Sequence, residues 1–550
     1  MTIAGVLAAL AALGLPLFVI IGVVTALVWM LYSPDITSFE SLTRLIEPME
    51  SLATKDEFLA IPLFVASGAI MTSGGIAARL VNVMRAGLGW MPGGLAVASV
   101  AACMFFAAIS GSSPVTLIAV GSIMVPSMLQ ARYPENFSLG IVMTAGSLGC
   151  LVPPSISMLI YSISVSGVAG NVEASDMFLA GLVPAVTIAS ALALYAIWVG
   201  RKIPGERPKF SVRELRKATI DGAWALMLPV LILGGIYGGL FTPSKAGAVA
   251  VAYSLFVTMF IYRELTWHST LKALAEAGKL MGMLILIIGL AFGLNDFLAR
   301  IQIDEVLKQL VIDWDLGPVG FMVVVNLVLI LLGALMDSIS ATLVFAPMLA
   351  PIAVEHYGMD ALHFGVVFVV NMEIGYLMPP VATNLFVAAA TFKKPFGQVT
   401  RAVLPTLGIT IAALVLFMYV PTCSKGLVNI QRGVAVWESF PWDGKPEASG
   451  DEVPSGLAGI AKKQAEESGL ETPETPPADA DVKGGETSGD PMDKYKQNDD
   501  DPFGIGGGGE SDDDADVKSD TTGDIGPDIE VDPMDKYKQN DDDPFGIGAP

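Results

Sequence analysis

The residues in this chain best placed for chemistry offer oxygen atoms rather than nucleophiles or soft metal ligands. Leu148-Gly149-Cys150-Leu151-Val152-Pro153-Pro154 and Ile374-Gly375-Tyr376-Leu377-Met378-Pro379-Pro380 repeat one phrase 226 residues apart, each inside a long apolar run. A Gly and a Pro-Pro pair remove backbone hydrogen bonds, and in hydrocarbon the carbonyls so freed need another partner. A desolvated sodium ion, hard and oxygen-seeking, is a suitable one. Ser110 and Ser113 supply hydroxyl or backbone oxygen, and Gly149, Val152 and Pro153 supply carbonyls. The second half offers Gly333, Gly375 and Met378 through backbone oxygen only. The plainer reading of the serines is a hydrogen bond back to the preceding helical turn, common in membrane helices.

Between the two sets, Ser112, Thr116, Ser338, Thr342, Thr383 and Asn384 present polar groups to an anionic substrate. Half-helix N-termini aimed at the same space favour a carboxylate. Neither core half places Arg or Lys at membrane depth, so dipoles, hydroxyls and a co-bound cation would hold the anion. Asp337 and Glu373 are the acidic residues expected at that depth, and functional use is the default for such groups. For Glu373 a structural acceptor role stands beside a proton or cation site. No catalytic constellation is present and an enzyme is not expected. His268, His356 and His363 fall in or near expected loops and interfaces, and Cys103, Cys150 and Cys423 have neither metal-ligand spacing nor a disulfide pattern. No cofactor other than coupling ions is called for, and no nucleic-acid partner.

The elements that must position these groups are membrane helices. The 550 residues are 53% hydrophobic, and the mean hydropathy is +0.60. Net charge is −22, but residues 425–550 alone carry 11 Lys/Arg against 31 Asp/Glu, so the remainder is nearly neutral. The expected fold is an all-α polytopic membrane protein made of an inverted repeat. Residues 1–200 and 224–424 form two five-span halves, joined by a basic linker at 201–223. Each half carries a re-entrant hairpin (about 94–128 and 318–354) and a broken helix (138–168 and 363–391). The hairpin tips are Ser110-Gly111-Ser112-Ser113-Pro114 and Asp337-Ser338-Ile339-Ser340. A single offset of 226 aligns Ser112 with Ser338, Thr116 with Thr342 and Gly149 with Gly375. Five spans per half reverse the orientation of the second half. With the linker in the cytoplasm, 16 of the 21 Lys/Arg in residues 1–424 fall on the inner side. Both termini then lie outside, in the periplasm of a Gram-negative cell.

Residues 33–57 and 299–316 read as interfacial or connecting helices. Tyr237–Lys245 reads as a tight turn followed by an N-capped helix. From about Lys425 the composition is that of a disordered acidic tail, with DPMDKYKQNDDDPFGIG duplicated at Asp490–Gly506 and Asp532–Gly548.

Ser110–Pro114, Gly149–Pro154, Tyr237–Pro243 and Asn371–Gly375 with Pro379-Pro380 together resemble the large membrane subunit of TRAP transporters, over roughly residues 1–424. The resemblance implies a sodium-driven importer of organic acids of the C4-dicarboxylate or sialic acid type, working by an elevator movement in the bacterial inner membrane. It implies two partners, a small four-helix membrane subunit and a periplasmic solute-binding protein. By motif position it assigns one sodium ion to Ser110, Ser113, Gly149, Val152 and Pro153, and a second to Gly333, Gly375 and Met378. Met378 stands where the family often has Thr, and Lys245 where it commonly has an acidic residue. No segment precedes the first span, so the small subunit is expected as a separate chain. The alternatives are a self-sufficient sodium/carboxylate symporter with similar repeats, and a membrane anchor acting through its tail.

Overall fold

The computed structural model describes residues 56–203, 209–300, 316–379 and 382–442, with parts of 19–27 and 307–314. Most of the apolar stretches at 1–14 and 16–32, residues 33–55, most of 299–316, Pro380 and the duplicated tail motif lie outside the described residues. The chain divides into units 1–453 and 454–550, and the second contains no described residue.

Among the described residues the secondary structure is helical, without strands. In chain order the helices are α1 (Asp56–Ser73), α2 (Ile76–Leu88), α3 (Gly94–Ser110), α4 (Ser113–Gln130), α5 (Glu135–Ser147), α6 (Ile156–Val165) and α7 (Ala174–Gly200). There follow α8 (Val212–Asp221), α9 (Ala223–Tyr237), α10 (Pro243–Phe256), α11 (Trp267–Arg300), α12 (Pro318–Leu335) and α13 (Ser338–Pro351). The last are α14 (Ala361–Tyr376), α15 (Thr383–Phe392), α16 (Phe396–Tyr419) and α17 (Thr422–Arg432). Eight described helical stretches are long and apolar enough to cross a membrane, or nine if the bent pair α8–α9 counts as one.

The two hairpins are α3–α4 and α12–α13. The first turns through Gly111, whose φ of +59° a residue with a Cβ rarely adopts. Ser112, extended at φ −134°, then caps α4, and Pro114 in its first turn costs no hydrogen bond. The second tip caps α13 with Asp337, whose carboxylate accepts from Ser340 N at 3.0 Å and from Ser340 Oγ at 2.7 Å. This gives Asp337 a capping role at the tip. Thr242 likewise accepts from Lys245 N to start α10, with Pro243 at its first position, as its turn predicts.

The caps correct the single offset. Ser112 and Asp337 occupy the same position, each accepting the first helical amide through its carbonyl (Thr116 N at 3.1 Å, Ala341 N at 3.0 Å). The tips are therefore 225 residues apart, whereas α5 and α14 begin 226 apart. The extra residue is taken up by a π turn, Ile352–His356, which continues α13 and has no counterpart after α4.

Ordered structure continues past Lys425, where composition predicts the tail to start. α17 and the strap that follows it, to Trp442, are structured and held by their charges. Lys425 contacts Asp360 at 2.9 Å and Glu438 at 2.6 Å, and Arg432 pairs with Asp176 at the start of α7. Trp442 stacks on Tyr419, and Phe440 meets the Tyr419 ring edge-on. Composition does not separate these paired charges from the charges that follow them in the sequence.

Candidate functional site

Each broken helix ends its first half next to its own hairpin. α5 passes into a 3₁₀ turn, Leu148–Cys150, and the amides of Leu151 and Val152 both donate to Leu148 O at 2.9 Å. Pro153 and Pro154 have no N–H to give. The chain re-enters a helix where Ile156 N donates to Gly111 O at 3.4 Å and Ser155 accepts from Met158 N at 3.3 Å. No backbone N–H among the described residues donates to the carbonyls of Gly149, Val152 or Pro153. All three residues are buried, as are Ser110 and Ser113. Gly149 lies directly on the tip, since a Cβ there would sit 2.8 Å from Ser112 C and Ser113 N.

The second break follows the same plan with a different outcome. Ala382 N donates to Ala334 O at 3.3 Å, the counterpart of the Ile156–Gly111 bond. Met378 N, however, donates to Gly375 O at 3.0 Å, so that carbonyl is already engaged. Gly375 packs on Gly333, with a Cβ at Gly375 only 2.5 Å from Gly333 C. Met378 is 38% exposed, whereas Val152 is 2% exposed. The first set thus groups three buried carbonyls that no described backbone N–H engages with the hydrogen-bonded hydroxyls of Ser110 and Ser113, and the second is open on the side of Met378.

The second half of each broken helix then crosses to the opposite hairpin, α6 against α13 and α15 against α4. Two hydrogen bonds mark the exchange. Asn384, second residue of α15, donates through Nδ2 to Oγ of Ser113, first residue of α4, at 2.6 Å. Ser157, second residue of α6, meets Oγ of Ser338, first residue of α13, at 3.1 Å. Tyr376 reinforces the latter, accepting from Ser338 N and donating to Ser338 Oγ, each at 2.9 Å. The pairing of equivalent positions across halves is the local signature of a two-fold repeat.

The candidate substrate-facing residues divide accordingly. Thr116 is engaged, 2.8 Å from Ser110 Oγ and donating to Ser112 O at 2.9 Å. Ser338 is engaged as above. Thr342 Oγ1 and Asn384 Oδ1 are buried without a partner among the described residues. Ser112 and Thr383 are partly exposed. A separate cavity of about 720 Å³ lies among the starts of α1 and α7 and the Tyr237–Ser244 turn, and none of the candidate residues lines it.

Ser147, Ser157 and Tyr376 were absent from the sequence-derived set. Ser147 had a signal, since the 226 offset places it on Glu373. His363 is not a loop residue: it lies buried in α14, with Nδ1 2.7 Å from Ser424 Oγ and Nε2 3.2 Å from Met418 O.

What this arrangement can do is hold a small hard cation. An oxygen cluster short of donors, containing a hydroxyl and no fixed positive charge, suits an ion of sodium's preference. The chemistry of the donor set fits.

Comparison with known proteins agrees in kind. The family described as tripartite ATP-independent periplasmic transporter, DctM component, matches residues 4–423. A C4-dicarboxylate TRAP transporter large permease protein DctM of Pseudomonas aeruginosa is 42% identical over 412 residues, covering 74% of this chain and 93% of that protein. Its namesake from Vibrio cholerae serotype O1 is 38% identical over 442 residues, covering 76% and 95%. Among solved structures, the Alcanivorax borkumensis YdaH transporter superposes with a TM-score of 0.49 at 15% identity, covering 77% of this chain and 99% of that one.

Proposed function

Since the chain belongs to the DctM component of the tripartite ATP-independent periplasmic transporters, and so is a membrane transport subunit rather than an enzyme, we propose that it couples sodium entry to organic-acid import. The observation that carries this reading is the buried cluster of carbonyls at Gly149, Val152 and Pro153, under the Ser113 tip, that no backbone N–H among the described residues engages. Sodium supplies the positive charge that the core lacks, and a carboxylate then finds a cation plus hydroxyls instead of an arginine. The second ion goes to Gly333, Gly375 and Met378, where the engaged Gly375 carbonyl makes binding weaker than at the first set.

The substrate-facing groups are Ser112, Thr116, Ser338, Thr342, Thr383 and Asn384. Thr342 Oγ1 and Asn384 Oδ1, buried without partners, are the two with hydrogen-bonding capacity to spare. The names of the two relatives favour a C4-dicarboxylate as cargo. In the elevator reading the hairpins and broken helices, locked together by the Ser113–Asn384 and Ser157–Ser338 bonds, travel as one body carrying ion and substrate. A small membrane subunit and a periplasmic binding protein complete the system in the bacterial inner membrane, with both termini on the periplasmic side.

Proteoliposomes containing the chain, its small subunit and the binding protein test this. Uptake of a radiolabelled C4-dicarboxylate is expected to require an inward sodium gradient and all three proteins. Uptake by the chain alone would make it a self-sufficient symporter, and uptake indifferent to sodium would remove the ion sites.

A further inference from the structure

Helix α8 is built differently from the helices around it. None of its residues is buried, and it meets the spanning helix α9 at a bend of 65°. A helix leaving a span at that angle runs close to the membrane plane. One side, with Leu215 and Ala218 half-buried, rests on α2, where Leu215 Cδ1 comes within 3.7 Å of a Cβ placed on Gly87. The other side has a single character. Arg213, Arg216, Lys217 and Ile220 stand at spacings of three, four and seven, which puts them in one sector of about 100°. All four are exposed and together line a shallow groove with Asp221. Among the described residues no carboxylate forms an ion pair with the three cations. Asp221, the acidic residue of the groove, lies 3.8 Å from Arg79 instead.

The surroundings fix the level of this face. Trp90, Trp198 and Trp224 are each about half exposed, near the end of α2, in the last turn of α7 and at the start of α9. Tryptophans collect at the headgroup layer. The Trp90 ring packs on Phe210, just before α8, and the Lys202 ammonium sits 3.7 Å from the Trp198 ring centroid. Exposed Val212 and Ile220, at 68% and 63%, are poorly placed in water but suit the border between headgroups and acyl chains. Guanidinium forks match phosphate oxygens in pairs, and a lysine adds a point charge.

We propose that the outer face of α8 is a binding site for anionic phospholipid headgroups, with Arg213, Arg216 and Lys217 around the phosphate and Ile220 against the first acyl carbons. The site anchors the linker between the two halves to the leaflet on its side. A headgroup with net negative charge binds, and a zwitterionic one, whose choline faces the same cations, binds less.

The test is native mass spectrometry of the full detergent-solubilised chain titrated with phosphatidylglycerol or phosphatidylcholine. The wild type is expected to retain phosphatidylglycerol preferentially. R213Q/R216Q/K217Q should lose that preference, by about fivefold for each cation removed, and Lys217→Gln alone should lose one step of it. K272Q/K279Q/R401Q removes as much charge from exposed positions elsewhere and should retain the lipid. Equal retention of both lipids, an unaffected triple variant, an equal loss in the control variant, or displacement of the lipid by excess inorganic phosphate would each overturn the proposal.

Discussion

Ser147 Oγ and Glu373 Oε1 lie 2.8 Å apart, although 226 residues separate them, and the two occupy equivalent positions in the repeat. Equivalent residues of a two-fold repeat can touch only where the axis passes, so this bond marks it. Both are fully buried, at the ends of α5 and α14 just before the breaks. The first halves of the broken helices therefore meet at the axis, while their second halves, α6 and α15, diverge to opposite hairpins. The symmetry is broken chemically at this point, a hydroxyl on one side and a carboxyl group on the other.

That asymmetry sets the first prediction. Ser147 is the hydrogen-bond partner of Glu373, whose Oε2 has none among the described residues. Ser147→Ala should lower stability by about 1 kcal/mol, the scale of a buried side-chain hydrogen bond in a membrane protein. Glu373→Gln keeps an acceptor for Ser147 and should stay within about 0.5 kcal/mol of the wild type. Thermal unfolding in detergent reads both, and a Ser147→Ala protein as stable as the parent would deny the bond any energetic role.

The exchanged contacts predict a difference between the halves. Asn384 is the one partner found for the Ser113 hydroxyl among the described residues, whereas Ser338 is held by Tyr376 as well as Ser157. Asn384→Ala should raise the sodium concentration for half-maximal uptake by about tenfold, the equivalent of one hydrogen bond. Ser157→Ala should shift it much less, because Tyr376 still orients Ser338. Uptake against sodium concentration decides, and equal shifts in the two variants would show that Asn384 has no special tie to the ion.

The hairpins, the two breaks and the repeat were legible in the sequence because Gly, Pro-Pro and small polar tips are local signals with local causes. The reciprocal crossing of α6 and α15 was not, since a helix such as Ile156–Val165 is buried on every side and its apolar residues and serines do not by themselves select a neighbour. The one-residue slip between Ser112 and Asp337 was hidden because the π turn that absorbs it, Ile352–His356, has no residue signature. The candidate carbonyls of Gly149 and Gly375 looked alike, and only the Met378 amide, turning back onto Gly375 O, tells them apart. Lys425 and Arg432 went with the tail because charge counting cannot see that Asp360 and Asp176 wait for them.

Close backbone approach at the breaks gives a third prediction. Gly149→Ala would drive a Cβ to 2.8 Å from Ser112 C and Ser113 N, and Gly375→Ala to 2.5 Å from Gly333 C. Backbone cannot yield as a side-chain end can, so both variants should abolish uptake, with the hairpin tip displaced. Gly234→Ala in α9 meets nothing within 4 Å, and should gain about 0.5–1 kcal/mol of stability from better helix propensity. Transport assays paired with size-exclusion profiles make the comparison, and an active Gly149→Ala protein would contradict the contact.

The boundary of the tail supplies the last prediction. Truncation after Trp442 should leave uptake intact, because it keeps every candidate site residue, α17 and the Lys425 clasp on Asp360 and Glu438. Truncation after Val420 removes α17, and with it the Ser424 contact to His363, the Arg432–Asp176 pair and the Lys425 clasp on Asp360 and Glu438. That shorter chain should lose stability and expression. The clasp has a pH signature. Burial works against the Lys425 charge but is outweighed by Asp360 and Glu438, so its pKa lies above the ordinary lysine value. A cation with a raised folded pKa stabilises at every pH below its unfolded value and stops doing so only as pH climbs through the folded one. Protease cleavage of the 433–442 strap should therefore stay slow through neutral and mildly alkaline conditions and quicken only beyond the usual range of lysine titration. Lys425→Met, uncharged at any pH, should be cleaved quickly throughout. A strap equally resistant in the variant would mean that the aromatic cluster of Tyr419, Phe440 and Trp442 holds it without the clasp.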